Sequence, residues 1–186
     1  MGFLSRIFRR EDAAKTDARR IYSKLMMQSR LPDFYGEGRF ADSYDGRIDV
    51  LTLHIAAILS NLNNFAVNGE RLGQALFDEM KDDFEIALRE EALSDASVKK
   101  QIQPMISLFY DRVKAYAEAL HASDKKSALR QIFSDPPSFE TPHSDSNEAN
   151  QEFQESICSY LLAFDEGLAT LSLGQIALTE FVFPAL

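Results

Sequence analysis

Residues 42–55, "DSYDGRIDVLTLHI", bring together the residue types that bind metal ions or transfer protons. The segment holds three aspartates, one arginine and one glycine, and it ends beside His54. An EF-hand loop needs oxygen ligands at positions 1, 3, 5 and 12 and a glycine at position 6. With Gly46 at position 6, Asp45 fits position 5, but the other ligand positions fail. Those positions hold Ala41, Ser43 and Thr52. The segment is therefore not predicted to be a calcium loop.

The spacing Glu-x-x-His occurs twice, as Glu118/His121 and Glu140/His143. A di-iron bundle needs two such pairs on helices, together with a glutamate from each of two other helices. The second pair spans a proline and the first lies at the end of its predicted helix, so we interpret both as chance spacings. No Gly-rich phosphate loop, HExxH, nucleophile elbow or Cys-x-x-Cys is present. We therefore assign no metal, no cofactor and no catalytic residue. A helical metal- or haem-binding enzyme using these groups and His54 remains the alternative.

The single cysteine, Cys158, lies on an apolar helical face in "ESICSYLL", which predicts a buried structural thiol. Arg47, His54 and Asn61 are spaced by seven and form a polar stripe on an otherwise apolar helix. In one interpretation these side chains form hydrogen bonds to the aromatic loop or to a neighbouring helix, as buried polar groups must. In the other they line a recognition groove. Nothing supports His54 as a catalytic base, because neither a nucleophile nor a metal partner is apparent.

The charge is unevenly distributed along the chain. The net charge is −9 over 186 residues, but residues 1–30 hold 8 basic and 3 acidic residues, which gives 8 − 3 = +5. The acidic balance disfavours general nucleic-acid binding, and we expect no DNA partner. Residues 1–11 are predicted to form a basic amphipathic N-terminal arm that contacts a membrane surface, the ribosome or a protein groove. Packing of the arm on the domain itself is the alternative. The candidate contact residues are Phe3, Leu4, Arg6, Ile7, Phe8, Arg9 and Arg10.

The hydrophobic periodicity predicts an all-α fold, a single-domain bundle of about six to seven helices over residues 12–186. Residues 134–147 are rich in proline and predict a surface loop within this domain. The stretch 174–186 predicts either a short helix or an extended tail. The predicted helices cover residues 12–30, 44–65, 70–91, 97–121, 124–134 and the region around 157–171.

The helix at 44–65 is apolar on nearly all sides, which is typical of the central helix of a bundle. It follows a loop that contains Phe34, Tyr35 and Phe40 and leads to Tyr44. Loops are usually polar, so these rings must either pack into the core or form a binding surface. At the start of the helix, Asp42 or Asp45 is expected to be the N-cap. Gly46 is expected to allow close approach of another segment, and Arg47 to pair with an aspartate.

The chain resembles the ubiquinol–cytochrome c chaperone family over residues 21–62 and 72–120. The most specific likeness runs from "PDFY" through Asp42, the Asp45-Gly46-Arg47 triplet and Asp49 to His54. The segments "QALFDEMKDD" and "FYDRVKAY" are the second and third matches. Members of this family assist assembly of the cytochrome bc complex, respiratory complex III.

The resemblance implies a non-catalytic assembly chaperone that binds newly made cytochrome b, an apolar membrane protein, near the ribosome exit. In mitochondria such proteins work with a small partner subunit. We expect a bacterial, cytoplasmic protein that contacts the inner membrane peripherally, because no mitochondrial presequence is evident. A membrane-surface scaffold without a client protein is a further alternative. The residues expected to bind the client or a partner are Phe34, Tyr35, Phe40, Asp42, Tyr44, Asp45, Arg47, Asp49 and His54.

Overall fold

The computed structural model describes the backbone of residues 3–90, 95–134 and 147–186 and the side chains of residues 13–90, 97, 98, 100–134 and 151–186. The described part contains seven α-helices and two short 3-10 turns and has no strand, which confirms the predicted all-α bundle. The helices are α1 (Phe3–Gln28), α2 (Tyr44–Leu62), α3 (Ala66–Glu90), α4 (Asp95–His121), α5 (Lys125–Ser134), α6 (Asn147–Ala169) and α7 (Leu173–Ala177).

The central helix is α2, as its sequence predicts. Every residue from Asp49 to Ile58 is buried, and α2 contacts α1, α3, α4 and α6. A helix with apolar residues on all sides loses the most water-exposed apolar surface when other helices surround it. By length and composition, the span Tyr44–Glu90 contains a window that could cross a membrane, but 67% of that window is buried inside the protein. Burial within the bundle explains this apolar composition.

The surrounding helices each bury one stripe of residues against this centre. On α3 the stripe has strict four-residue spacing and consists of Leu72, Leu76, Met80, Phe84 and Leu88. On α6 it includes Ile157, Leu161, Phe164 and Leu168. The predicted spacings therefore correctly identify the faces that pack inward. A helix with such a stripe leaves its opposite face to solvent and polar side chains.

The helix α1 begins at Phe3, so it contains most of the predicted N-terminal arm. The side chains of the arm residues lie outside the described ones. Their contact with a membrane or the ribosome, and the division into residues 1–11 and 12–186, remain predictions. Most of the Pro-rich segment, residues 135–146, also lies outside the described residues.

The C-terminal stretch combines both predicted conformations. The helix α7 starts with a capping box between Ser172 and Gln175, and the residues after it have no regular structure. This tail is nevertheless packed, because Phe181 is 2% exposed. Lys24 of α1 donates hydrogen bonds to the carbonyl oxygens of Thr179 and Phe181, at 2.8 and 2.5 Å. The tail thereby completes the core beside α1.

Candidate functional site

The entry to α2 is fixed by a cap and a close backbone contact. Ser43, in extended conformation, accepts a hydrogen bond from the backbone N–H of Gly46 at 3.2 Å, so Ser43 is the N-cap. The predicted cap at Asp42 or Asp45 was wrong, because the shorter serine side chain occupies the position from which the first free N–H groups are reached. A Cβ on Gly46 would lie 2.1 Å from the carbonyl oxygen of Ala41. This confirms the predicted close approach at the glycine.

Arg47 forms the predicted ion pair with Asp42, with its Nη2 2.8 Å and its Nε 2.9 Å from Oδ1. Both side chains are more than half exposed, so the pair orients the guanidinium and contributes little stability. The guanidinium also lies 6.0 Å from the centre of the Tyr35 ring. Asp42, Asp45 and Arg47 therefore form a charged, exposed edge at the start of α2.

The aromatic loop before α2 packs into the core. Phe34 and Phe40 are buried, and the Phe34 ring meets the rings of His54 and Tyr160 edge to face at 5.6 and 5.4 Å between centres. Tyr35 is half-buried, and its hydroxyl donates a hydrogen bond to a backbone carbonyl at the end of α1. The loop thus anchors the start of α2 against α1 and α6.

His54 is 0% exposed and has hydrogen-bond partners on both ring nitrogens. Nδ1 lies 2.6 Å from the carbonyl oxygen of Val50, which can only accept, so Nδ1 carries the proton. Nε2 then accepts from the hydroxyl of Tyr160 at 2.7 Å, and that hydroxyl in turn accepts from the amide of Gln28 at 3.1 Å. Burial lowers the pKa of His54 to about 4. The imidazole is a neutral link between α1, α2 and α6.

Asn61 extends the same pattern one heptad further along α2. Its amide donates to the carbonyl of Ala57 at 3.0 Å and to Asp165 of α6 at 2.8 Å. The second oxygen of Asp165 accepts from Lys125 of α5 at 2.9 Å. His54 and Asn61 therefore bond neighbouring helices, as the first interpretation of the polar stripe predicts. Arg47 alone of the three stripe residues reaches the surface.

Asp49 is buried and forms an ion pair with Arg112 of α4. The exposed fractions of the two side chains are 4% and 10%. Burying two charges is costly unless they compensate each other, so this pair requires α2 and α4 to pack in one register. It fixes the first turns of α2 against α4.

An open groove of about 330 Å³ lies where the C-terminal ends of α1 and α3 meet the start of α2. Its floor is apolar and consists of Met26, Ile48, Leu51 and Phe84. Two large side chains stand at its rim with much of their surface in water, Ile86 at 54% and Tyr44 at 47% exposed. Charged residues line its walls, with Arg30 and Arg47 near α1 and α2 and with Asp83 and Glu90 on α3. We call this feature the α1–α2–α3 groove.

The groove includes two of the residues predicted from the sequence, Tyr44 and Arg47. Sequence reasoning missed Met26 and Ile86 as groove residues. Ile86 carried a usable signal, because it lies outside the four-residue stripe of α3. Its neighbours on the helix surface, three and four positions away, are all charged: Asp82, Asp83, Arg89 and Glu90. A large apolar side chain on the solvent face of a helix often marks a binding surface when it adjoins other apolar side chains.

The described residues offer little for metal or nucleophilic chemistry. Within that part of the chain, no three His, Cys, Asp or Glu side chains come together as a metal site requires. Glu118 lies 3.8 Å from Lys114, and Nδ1 of His121 lies 2.8 Å from a backbone carbonyl oxygen of its own helix. The other Glu-x-x-His pair lies outside the described residues. Cys158 is buried as predicted, and burial raises the pKa of its thiol to about 11.

The fold and the groove define an all-α helical-bundle protein with an open, partly apolar surface groove at one end. The chain belongs to the ubiquinol-cytochrome C chaperone family, whose model matches residues 37–183. It is also similar to the crystal structure of the Cbp3 homolog from Brucella abortus, with 25% sequence identity and a TM-score of 0.74. That likeness covers 99% of this chain and 97% of the other. A comparison with curated protein sequences finds no significant match.

Proposed function

We propose that the α1–α2–α3 groove binds an apolar segment of newly made cytochrome b and thereby assists assembly of the cytochrome bc complex. Family membership supports the chaperone role in this assembly. The observation that carries the placement is the exposed pair Tyr44 and Ile86 above an apolar floor. Covering such a surface with an apolar segment releases water from it and lowers the free energy of the complex. In this proposal the chain acts by binding, without a catalytic residue or a cofactor.

In this proposal the nine residues predicted to bind the client have different roles according to their exposure. Tyr44 and Arg47 line the groove, while Asp42 and Asp45 are exposed at the same end of α2 but do not line it. In the proposal these four side chains contact the client, and half-buried Tyr35 supports them. The remaining four residues are buried and hold the first half of α2 in place: Phe34, Phe40, Asp49 and His54.

The proposal places the protein in the cytoplasm, with the basic N-terminal arm in contact with the inner membrane or the ribosome exit. The sequence supports this through the +5 charge of residues 1–30, obtained as 8 − 3. A basic amphipathic segment is attracted to anionic lipid and to ribosomal RNA. A small partner subunit could occupy another face of the bundle. The alternatives are a helical metal- or haem-binding enzyme and a membrane-surface scaffold without a client protein.

The test is complementation of a strain that lacks the gene, with Ile86→Asp as the groove variant and Leu108→Asp as the control. Leu108 is 43% exposed on α4 and does not line the groove. We expect deletion to lower the cytochrome bc complex, measured by haem absorption of membranes. Wild type and Leu108→Asp should restore it, whereas Ile86→Asp should not, at equal protein levels on immunoblots. Full restoration by Ile86→Asp, or unchanged complex after deletion, would contradict the proposal.

A further inference from the structure

The walls of the α1–α2–α3 groove carry opposite charges. Asp83 and Glu90 lie seven residues apart on α3, so both project toward the same side of that helix. The end of α1 and the start of α2 contribute Arg30 and Arg47 to the lining. The hydroxyl of Tyr22 donates to Oδ2 of Asp83 at 2.7 Å and holds this carboxylate at the groove wall. The lining is therefore acidic along α3 and basic where α1 and α2 contribute to it.

The start of α2 reinforces this polarity. The first turn of α2, which begins at Tyr44, presents free N–H groups at this end of the bundle. The corresponding partial charge is positive and lies beside Arg47. The α2 side of the groove is therefore unfavourable for a cation, and the carboxylates of α3 are the favourable place for one.

The shape of the groove suits a helical occupant. All three walls are helices or helix ends, and the α2 residues Tyr44, Arg47, Ile48 and Leu51 follow the spacing of one helical face. A fourth helix can lay an apolar face into such a groove. Transmembrane helices carry an excess of Lys and Arg next to their cytoplasmic ends, directly after the apolar run. That arrangement matches an apolar floor beside an acidic wall.

We propose that the groove selects the cytoplasmic end of an apolar helical segment, with a Lys or Arg side chain of that segment paired to Asp83 and Glu90. The inference rests on the proposed function and deepens it, because it states which segments of a membrane client the groove takes. A segment with an acidic residue at the same edge would meet the α3 carboxylates and be rejected. Asp83 and Glu90 act here as specificity-determining residues.

The test measures binding of three synthetic peptides that share a Leu/Ala face and an uncharged Gln/Ser face. One edge position is Lys, Gln or Glu, and each peptide carries a single Trp. The protein has no tryptophan, so the peptide fluorescence reports binding without background from the protein. We expect affinity in the order Lys, Gln, Glu, with the Lys peptide binding about 5-fold more tightly than the Gln peptide.

The variant Asp83→Asn/Glu90→Gln should remove the preference for Lys, so that the Lys and Gln peptides bind it with equal affinity. The matched control is Glu70→Gln/Asp78→Asn, which removes two exposed acids of α3 that do not line the groove. This control should retain the full preference. Glu90→Gln alone, at an exposed helix end, should give a partial loss with a fold verified by circular dichroism.

Two outcomes separate this inference from the proposed function. If all three peptides bind equally, or if the Lys preference survives in Asp83→Asn/Glu90→Gln, the charge selection is wrong, and loss of binding in Ile86→Asp then shows that the groove is still the binding site. If no peptide binds the wild-type protein, both the selection and the groove assignment are wrong. Binding that is lost in Ile86→Asp but depends on the edge charge in the wild type supports both.

Discussion

The buried ion pair between Asp49 and Arg112 yields a quantitative prediction about stability. Its side chains are 4% and 10% exposed, so replacing Arg112 with Met leaves a carboxylate in the core without its cation. Breaking a buried pair in this way costs about 3–5 kcal/mol. For a chain of this length, about 1 kcal/mol shifts Tm by roughly 2–4 °C, so we expect Arg112→Met to lower Tm by about 10 °C.

A double-mutant cycle tests the reason for this loss. Asp49→Asn in the Arg112→Met background removes the uncompensated charge and should recover at least about 2 kcal/mol of the loss. The measurement is urea unfolding followed by far-ultraviolet circular dichroism. The matched control is Lys114→Met, which breaks the exposed pair with Glu118 and should change the free energy of unfolding by less than about 0.5 kcal/mol. A loss below about 1 kcal/mol in Arg112→Met, or strictly additive effects of the two changes, would refute the reasoning.

Three further predictions concern the entry to α2, the buried histidine and the thiol. Gly46→Ala should destabilise the protein by about 1–3 kcal/mol, because its Cβ would lie 2.1 Å from a backbone oxygen. The control is Gly167→Ala, whose added Cβ would have no atom within 4 Å, and it should stabilise the protein by about 0.5–1 kcal/mol. Equal changes in the free energy of urea unfolding for the two variants would argue against the close contact at Gly46. Because burial lowers the pKa of His54 to about 4, the unfolded state binds this proton first as the pH falls below about 6.5. About 3 kcal/mol of stability should therefore be lost between about pH 6.5 and 4. His54→Gln should abolish this pH-dependent loss, and the control His121→Gln, at an exposed position, should retain it. An unchanged dependence of stability on pH in His54→Gln would disprove the assignment. Cys158 should react with a thiol reagent at pH 8 at least about 100-fold more slowly in the native than in the unfolded protein, so fast native labelling would show that the thiol is accessible.

The helices and their inward faces were predictable because apolar residues at helical spacing mark the face that is buried. The apolar composition of α2 and the four-residue stripe of α3 needed no tertiary information. The cap of α2 was not predictable in detail, because Asp42, Ser43 and Asp45 are all good capping residues and only the backbone geometry selects among them. The sequence predicted a helix that begins at residue 12, whereas α1 begins at Phe3. Its first residues lack the stop signal that would separate an arm from a helix.

The groove could be predicted only in part. Tyr44 and Arg47 belong to the segment that carries the family likeness, so the sequence predicted the part of the groove that α2 contributes. The other walls come from α1 and α3, and sequence spacing does not show which ends of distant helices meet. The sequence also did not determine whether the aromatic loop is buried, since Phe34 and Phe40 could equally have formed an exposed surface. Phe34 packs on Tyr160, and Phe40 packs on Phe133 and Phe153, all of them more than 90 residues away in the sequence.

Site-specific photo-crosslinking tests the central proposal most directly. A photoreactive phenylalanine analogue at Ile86 stands at the groove rim, and the same analogue at Leu108 stands on an exposed part of α4 outside the groove. In cells that are synthesising cytochrome b, we predict a crosslink to cytochrome b from position 86 and none from position 108. A crosslink from 108 without one from 86, or no cytochrome b from either position in cells that assemble the complex, would contradict the proposed groove.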